Sequence, residues 1–284
     1  MGGLGGWIGL LGDLSNTLNI NTIKVCHFVS ILCHFVSILS FLIKLVDFLS
    51  NYATLPYMSV YVMGDIHGNF AAIERWLQDF ANTGDVLIQA GDFGVGFVHE
   101  KRIESLANKF SEAGCRCLVV QGNHDDPIYF KENKKYSGSL ELLPPTSFRQ
   151  INNKGILFLG GAISVDRYRR LEGKSWWRDE KFILERDYLS SLQGIDYVIS
   201  HGCPNYVVPI VSHKGDIVDY FSEWDTTLVN ELKEEGEQLA EAFHLISNNN
   251  IQKAWHGHYH TRQIKNVNGI EFRCLEIDEV DLLF

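Results

Sequence analysis

The sequence predicts an α/β protein with a partly parallel sheet over residues 58–284. Two observations carry that expectation. After Met58, short runs rich in Val, Ile and Leu alternate with stretches of helical periodicity, the strand–helix–strand order of parallel architecture. Five short motifs of Asp, Asn, His and Gly also begin or end where a predicted strand stops, as ligand-bearing loops do at the edge of an α/β sheet.

Taken in order, Ser59-Val60-Tyr61-Val62-Met63 reads as the first strand. A helix follows near 70–82, where Ile73, Trp76, Leu77 and Phe80 recur at three- and four-residue spacing. Val86 to Ala90 is the second strand, residues 99–113 the second helix, and Cys117-Leu118-Val119-Val120 the third strand. Ile156-Leu157-Phe158-Leu159 and Tyr197-Val198-Ile199-Ser200 are later strands. Asp225 to Ile246 reads as a long amphipathic helix with a break at Gly236. No linker divides 58–284.

The first 57 residues have a different character. From Val25 to Ile43 there are 19 residues without a formal charge, about 28 Å of helix and close to a bilayer core. Within them Cys26 to Leu32 is repeated at once, residue for residue, as Cys33 to Leu39. Two heptads are too few for a coiled coil. No Lys or Arg precedes Lys24, which argues against a secretory signal. The segment therefore reads as a leader outside the domain, with Met58 directly before the first strand, as a membrane or interfacial anchor, or as a segment with another docking role.

The net charge of −10 lies wholly on the remainder, because Asp13, Lys24, Lys44 and Asp47 cancel. An acidic body disfavours duplex nucleic acid, whose phosphates need a basic face. Small or single-stranded phosphate substrates remain compatible once cations offset that charge locally. At 45% hydrophobic the chain has ample material for a core. Its six cysteines form no CxxC pair and no disulfide framework, so they read as reduced thiols of a cytoplasmic protein.

The motifs are Gly64-Asp65-Ile66-His67-Gly68, Gly91-Asp92-Phe93-Gly94, Gly122-Asn123-His124-Asp125, Ser200-His201-Gly202 and His256-Gly257-His258-Tyr259-His260. A single Gly-Asp-x-His-Gly has a bland alternative in an Asx turn, and a lone His after a strand is more often structural. All five in order are not explained that way. They carry two Asp, one Asn and four His, enough ligands for two divalent metals sharing a carboxylate. Mixed oxygen and nitrogen donors suit manganese first, with iron or zinc as alternatives. His256 reads as packing or support behind the ligands.

These motifs resemble those of the calcineurin-like metallophosphoesterases across nearly all of 58–284. The resemblance implies a four-layer α/β/β/α sandwich of two mixed sheets, with a binuclear site at the strand ends. It implies that Asp65, His67 and His260 hold one metal, that Asn123, His201 and His258 hold the other, and that Asp92 bridges them. His124 would touch substrate and protonate the leaving oxygen. Two adjacent metals would lower the pKa of a bridging water and clamp the phosphoryl oxygen, making a phosphatase or phosphodiesterase.

One departure is clear. The protein-phosphatase branch continues its second motif as Gly-Asp-x-x-Asp-Arg-Gly, whose Asp orients the acid His and whose Arg grips phosphate; this chain has Val95, Gly96 and Phe97 there. Asp125 or Asp126 are candidates to orient His124. A later stretch, Gly160 to Arg170 followed by Ser175-Trp176-Trp177 and Glu180, looks like a small bacterial and phage subgroup of the superfamily. Arg167 or Arg170 could supply the missing phosphate grip. Trp176 and Trp177 could stack on a base, against the plainer reading that they pack. The competing readings are a nuclease on single-stranded nucleic acid, a metal-binding scaffold whose catalysis has lapsed, and a membrane-tethered adaptor. Since every proposed ligand lies beyond Met58, a chain beginning there should stay soluble, metal-loaded and active. Aggregation or metal loss would show that residues 1–57 pack on the domain.

Overall fold

The computed structural model describes residues 36–46, 58–209 and 214–284, with side chains from Ile217 in the last segment. The chain divides into two units, Met1–Leu55 and Pro56–Phe284. In the first, residues 36–46 form helix α1; most of the uncharged run at 25–43 lies outside the described residues. Among those described, no helix is long and apolar enough to cross a membrane.

The second unit follows the predicted alternation. Strands β1 (Val60–Met63), β2 (Val86–Gln89) and β3 (Arg116–Val119) are linked by helices α2 (Ala71–Asp79) and α3 (Glu100–Ala113). Helix α4 (Pro127–Lys131) and strands β4 (Lys135–Tyr136) and β5 (Leu140–Leu142) complete the first half. The second half holds β6 (Thr146–Ile151), β7 (Lys154–Leu159), α5 (Arg186–Ser191), β8 (Tyr197–Ser200), α6 (Lys214–Ser222), α7 (Leu228–Leu245) and β9 (Lys253–His256). It ends with β10 (Gln263–Val267), β11 (Ile270–Cys274) and β12 (Val280–Leu282), the last of which returns to the first sheet beside β1.

Two six-stranded mixed sheets result, ordered β12-β1-β2-β3-β5-β4 and β10-β11-β9-β8-β7-β6. The period-two alternation of side chains along each strand decides what lies between the layers. Val60, Val62, Val86, Ile88, Ile156 and Phe158 point into the space between the sheets. Their neighbours Met63, Leu87, Cys117 and Val119 face Ile73, Trp76, Leu106 and Phe110 of α2 and α3. On the far side Leu157, Leu159, Val198 and Ala254 face Leu239, Ala242 and Phe243 of α7. Three stacked apolar cores define four layers, helices outside and sheets inside.

Register sets the functional edge. In the parallel β1–β2–β3 set, Met63 pairs with Gln89 and Gln89 with Val119. In the parallel β7–β8–β9 set, Leu159 pairs with Ser200 and Ser200 with His256. Parallel strands all end on one side, so the loops after β1, β2, β3, β8 and β9 leave the two sheets level with one another. Those loops are the five motifs.

Two expectations are corrected. Helix α2 stops at Asp79, leaving Phe80 beyond its end and 67% exposed. Helix α7 runs unbroken through Gly236. A Cβ there would stand 3.1 Å from Cβ of Asn205, so the glycine serves close packing rather than a break. Strands β4, β5, β6 and β10 to β12 and helices α4, α5 and α6 go beyond the elements that the sequence predicts. The four described cysteines, Cys115, Cys117, Cys203 and Cys274, are buried.

Helix α7 also braces the loop after β7. Glu235 accepts from the backbone N–H groups of Ile163 and Phe182, and Glu180 from that of Ser164. Burial pushes both carboxyl groups up to about 7. The folded chain therefore holds protons that the unfolded chain releases near ordinary carboxyl pKa values. Their contribution is complete below that range and is lost as pH rises through about 7. The melting temperature should fall between about pH 5 and pH 8, and fall less in Glu235→Gln. Equal slopes would mean that the two N–H donors keep Glu235 ionised throughout.

Candidate metal centre

Three motif glycines matter for the space they leave. A Cβ on Gly91 would lie 2.2 Å from Nδ1 of His201, one on Gly122 2.3 Å from Oδ1 of Asp92, and one on Gly257 2.0 Å from Oδ1 of Asp65. Each distance is far inside van der Waals contact, so each glycine makes room for a ligand from another motif. Four of the candidate ligands bend sharply. His67, Asp92, His258 and His260 have φ of 46°, 55°, 68° and 52°, in the left-handed region that side chains usually avoid. Such strain persists where surrounding structure over-determines it, and it collects at functional sites.

Asp65, His67, Asp92 and His260 bring ligand atoms within 4.8 Å of one another. Nε2 of His260 lies 2.9 Å from Oδ2 of Asp65 and 3.0 Å from Nε2 of His67. A second group gathers around Asn123. Its Oδ1 is 2.8 Å from Nδ1 of His258 and 3.1 Å from Nε2 of His201, while its Nδ2 donates to Oγ of Ser164 at 3.1 Å. That last bond orients the amide, turning oxygen toward the histidines. Asp92 lies between the groups: Oδ1 is 3.2 Å from Nε2 of His201, and Oδ2 is 3.7 Å from Nδ1 of His67. The seven residues expected to bind metal thus converge in two sets, and Asp92 offers one oxygen to each. Carboxylate, imidazole and amide oxygen lone pairs at these spacings suit divalent first-row cations.

The electrostatics hold Asp92 in its binding form but leave a proton on His201. Burial opposes ionisation of Asp92, but the charge of His201, with His124 and His67, holds its carboxyl well below the usual range. Burial would push His201 down, yet Asp92 and Asp65 raise it to about 10; a cation must displace that proton, so binding depends on pH. His201 is fixed by Nδ1 2.8 Å from the carbonyl of Ala90.

His124 departs from expectation. Its backbone N–H donates to Oδ1 of Asp92 at 2.7 Å, and its ring meets that of His67 edge-on. Burial pushes its pKa down to about 4, with the Arg170 guanidinium adding to the push. Nη2 of Arg170 lies 2.8 Å from His124 Nε2. Arginine can only donate, so this ring nitrogen carries no proton in that arrangement. Neither neighbouring Asp orients the ring. Asp125 instead accepts from the N–H groups of Phe93, Gly94, Val95 and Gly122, tying the second and third motifs together. Asp126 caps α4 through Ile128 N–H.

The later stretch splits. Arg170 reaches the site, held by Asp166 through Nε at 2.7 Å and Nη2 at 3.0 Å. Arg167 turns away, its guanidinium bound by Asp225, Glu231 and Thr227. The tryptophans part as well: Trp177 packs edge-on against Phe97, itself beside His124. Trp176 lines a separate cleft with Arg167 and Arg178. His256 is buried with its ring against Tyr259, outside both ligand sets. Reading the sequence alone missed the supporting roles of Ser164 and Glu180, whose partners lie 41 and 16 positions away, and of Asp166, which pairs with Arg170 four positions on.

A fold of two sheets with such a site at their shared edge is that of a metal-dependent phosphoesterase. The profile of the calcineurin-like phosphoesterase family matches residues 58–262, and the chain belongs to that family. Among solved structures it is similar to phosphopantetheinyl hydrolase from Mycobacterium tuberculosis (13% identity, 78% of this chain and 90% of that one, TM-score 0.40). It is also similar to a Staphylococcus aureus protein provisionally described as a 5′-nucleotidase (15% identity, 78% and 49%, TM-score 0.45). A third is a Streptococcus pneumoniae protein described from its sequence as a phosphoesterase (13% identity, 78% and 72%, TM-score 0.31). Among curated proteins none matches.

Because Asp92 faces both ligand sets, Asp92→Asn should lower metal content at both positions, counted per chain by elemental analysis. Two fully held metals in that variant would remove Asp92 from its shared position.

Proposed function

We propose that this chain hydrolyses phosphate monoesters or diesters with two divalent cations, manganese first. Asp65, His67 and His260 would hold one, Asn123, His201 and His258 the other, and Asp92 both. The observation that carries this reading is the convergence of two ligand sets on Asp92 in one cavity with His124 and Arg170. When bound, the cations would polarise the phosphoryl oxygens and activate water for attack.

The chain's own groups do the rest. Asp166 fixes the guanidinium of Arg170 as a rigid fork, suited to two oxygens of one phosphate. Arg170 thereby takes the part of the arginine absent from the second motif. His124 is neutral in the free chain at neutral pH. An anionic phosphate that displaced the Arg170–His124 contact would raise the ring's proton affinity, so that it takes up a proton from solvent. That proton, on the ring nitrogen facing the ester, then passes to the leaving oxygen.

With manganese present, purified protein should hydrolyse 4-nitrophenyl phosphate or its bis ester; no turnover on any phosphate ester would end this reading. His124→Ala should slow esters of poor leaving groups by roughly 10²–10⁴-fold and activated aryl esters less, while keeping the metals. Equal losses on both would take the acid role away from His124.

A further inference from the structure

We propose that the substrate is an amphiphilic phosphate ester, whose alcohol carries an uncharged apolar chain of several carbons. This rests on the hydrolase reading above and names the half of the substrate that the metals do not hold. The site opens into a cavity of about 720 Å³. One end is the metal centre. Val165, Val208, Ile217, Val218, Phe221 and Leu232 also line the cavity. They come from the loop after β7, the loop after β8, and helices α6 and α7.

Several of these side chains cover no core. Ile217 and Val208 are each 41% exposed, and Val218, Phe221 and Leu232 are half-buried. Large apolar side chains gathered on the wall of a concave site, continuous with its reactive end, are what binds the apolar part of a ligand.

The charged groups of the cavity point the same way. Asp166 and Arg170 pair with each other beside His124. Glu235 is turned to the backbone of Ile163 and Phe182. Lys233 is exposed and pairs with Glu237 along its own helix. Among the described residues, none on the apolar wall is a buried cation that could hold a second phosphate. The two tryptophans that could have stacked on a base are not on it: Trp177 packs against Phe97, and Trp176 lines another cleft. A nucleotide could stack its base on Phe221 but would find no hydrogen-bonding partner in the aliphatic side chains of Ile217, Val218 and Leu232. An alkyl chain would bury methylenes there.

The test uses the full chain loaded with manganese. Ethyl-, butyl- and hexylphosphonate, which have no ester bond to cut, are titrated by calorimetry. The kcat/KM values for the matching alkyl phosphates and alkyl 4-nitrophenyl phosphates are measured alongside. Affinity and kcat/KM should each rise about threefold to fourfold per methylene, on the order of a hundredfold from ethyl to hexyl. Hexylphosphonate should outcompete adenosine 5′-monophosphate. In Ile217→Asp, and separately in Phe221→Ser, the hexyl-to-ethyl ratio should fall toward one. Should either variant fail to fold, the wild-type series still decides. A flat response to chain length, or adenosine monophosphate binding as tightly as hexylphosphonate, overturns the proposal. Graded phosphonate binding without hydrolysis of any ester would instead overturn the hydrolase reading and leave the apolar subsite standing. Hydrolysis at rates indifferent to chain length would do the reverse.

Discussion

Asp92 is buried at the meeting of both sheets, with one oxygen toward each group of ligands, and much of the site's local structure is a consequence of placing a carboxylate there. A buried carboxylate needs compensation by charge and hydrogen bonds. His201 supplies the first and the His124 N–H the second. To bring those groups close, the neighbouring backbone must forgo side chains at Gly91 and Gly122, and Asp92 itself must take a positive φ. Asp125 then gathers four N–H groups from the second and third motifs, fixing the loop that carries Asp92 relative to the loop that carries Asn123 and His124. The centre is rigid because its supports belong to its loops.

A second layer of support comes from the loop after β7. Ser164 orients Asn123, and Glu180 and Glu235 hold the backbone around Ser164 from beneath. The same loop continues to Asp166 and Arg170, so the element that sets an amide ligand also presents the guanidinium to His124. The metal end of the cavity is thus polar and fixed, and α6 and α7 add an apolar wall.

Strands β1, β2, β3, β7 and β8 and helix α3 were legible within a residue or two, and α2 and α7 within three, since each is buried on a face that its own periodicity declares. What failed was local in cause. Gly236 read as a break because glycine weakens an isolated helix, yet its neighbour Asn205 makes the small residue a packing requirement. Arg167 and Arg170 were indistinguishable as sequence. Asp225 and Glu231, about sixty positions on, claim the first, and His124 lies beside the second. Trp176 and Trp177 stood as a pair only on paper; in space they serve different surfaces.

By itself the sequence determined the inventory: an alternating α/β chain and seven metal-type ligands with a free histidine, each delivered just beyond a strand. Such information is local, because strand periodicity and motif spacing act over a few residues. Only the tertiary structure decided which side chains meet. Level register at one edge brought the motifs of two sheets together. Burial beside Arg170 set His124 well below its ordinary pKa, and distant helices supplied an apolar wall that no motif announces. Desolvation, charge pairing and cavity shape depend on distances between residues far apart in the chain, and a sequence read along its length does not contain those distances.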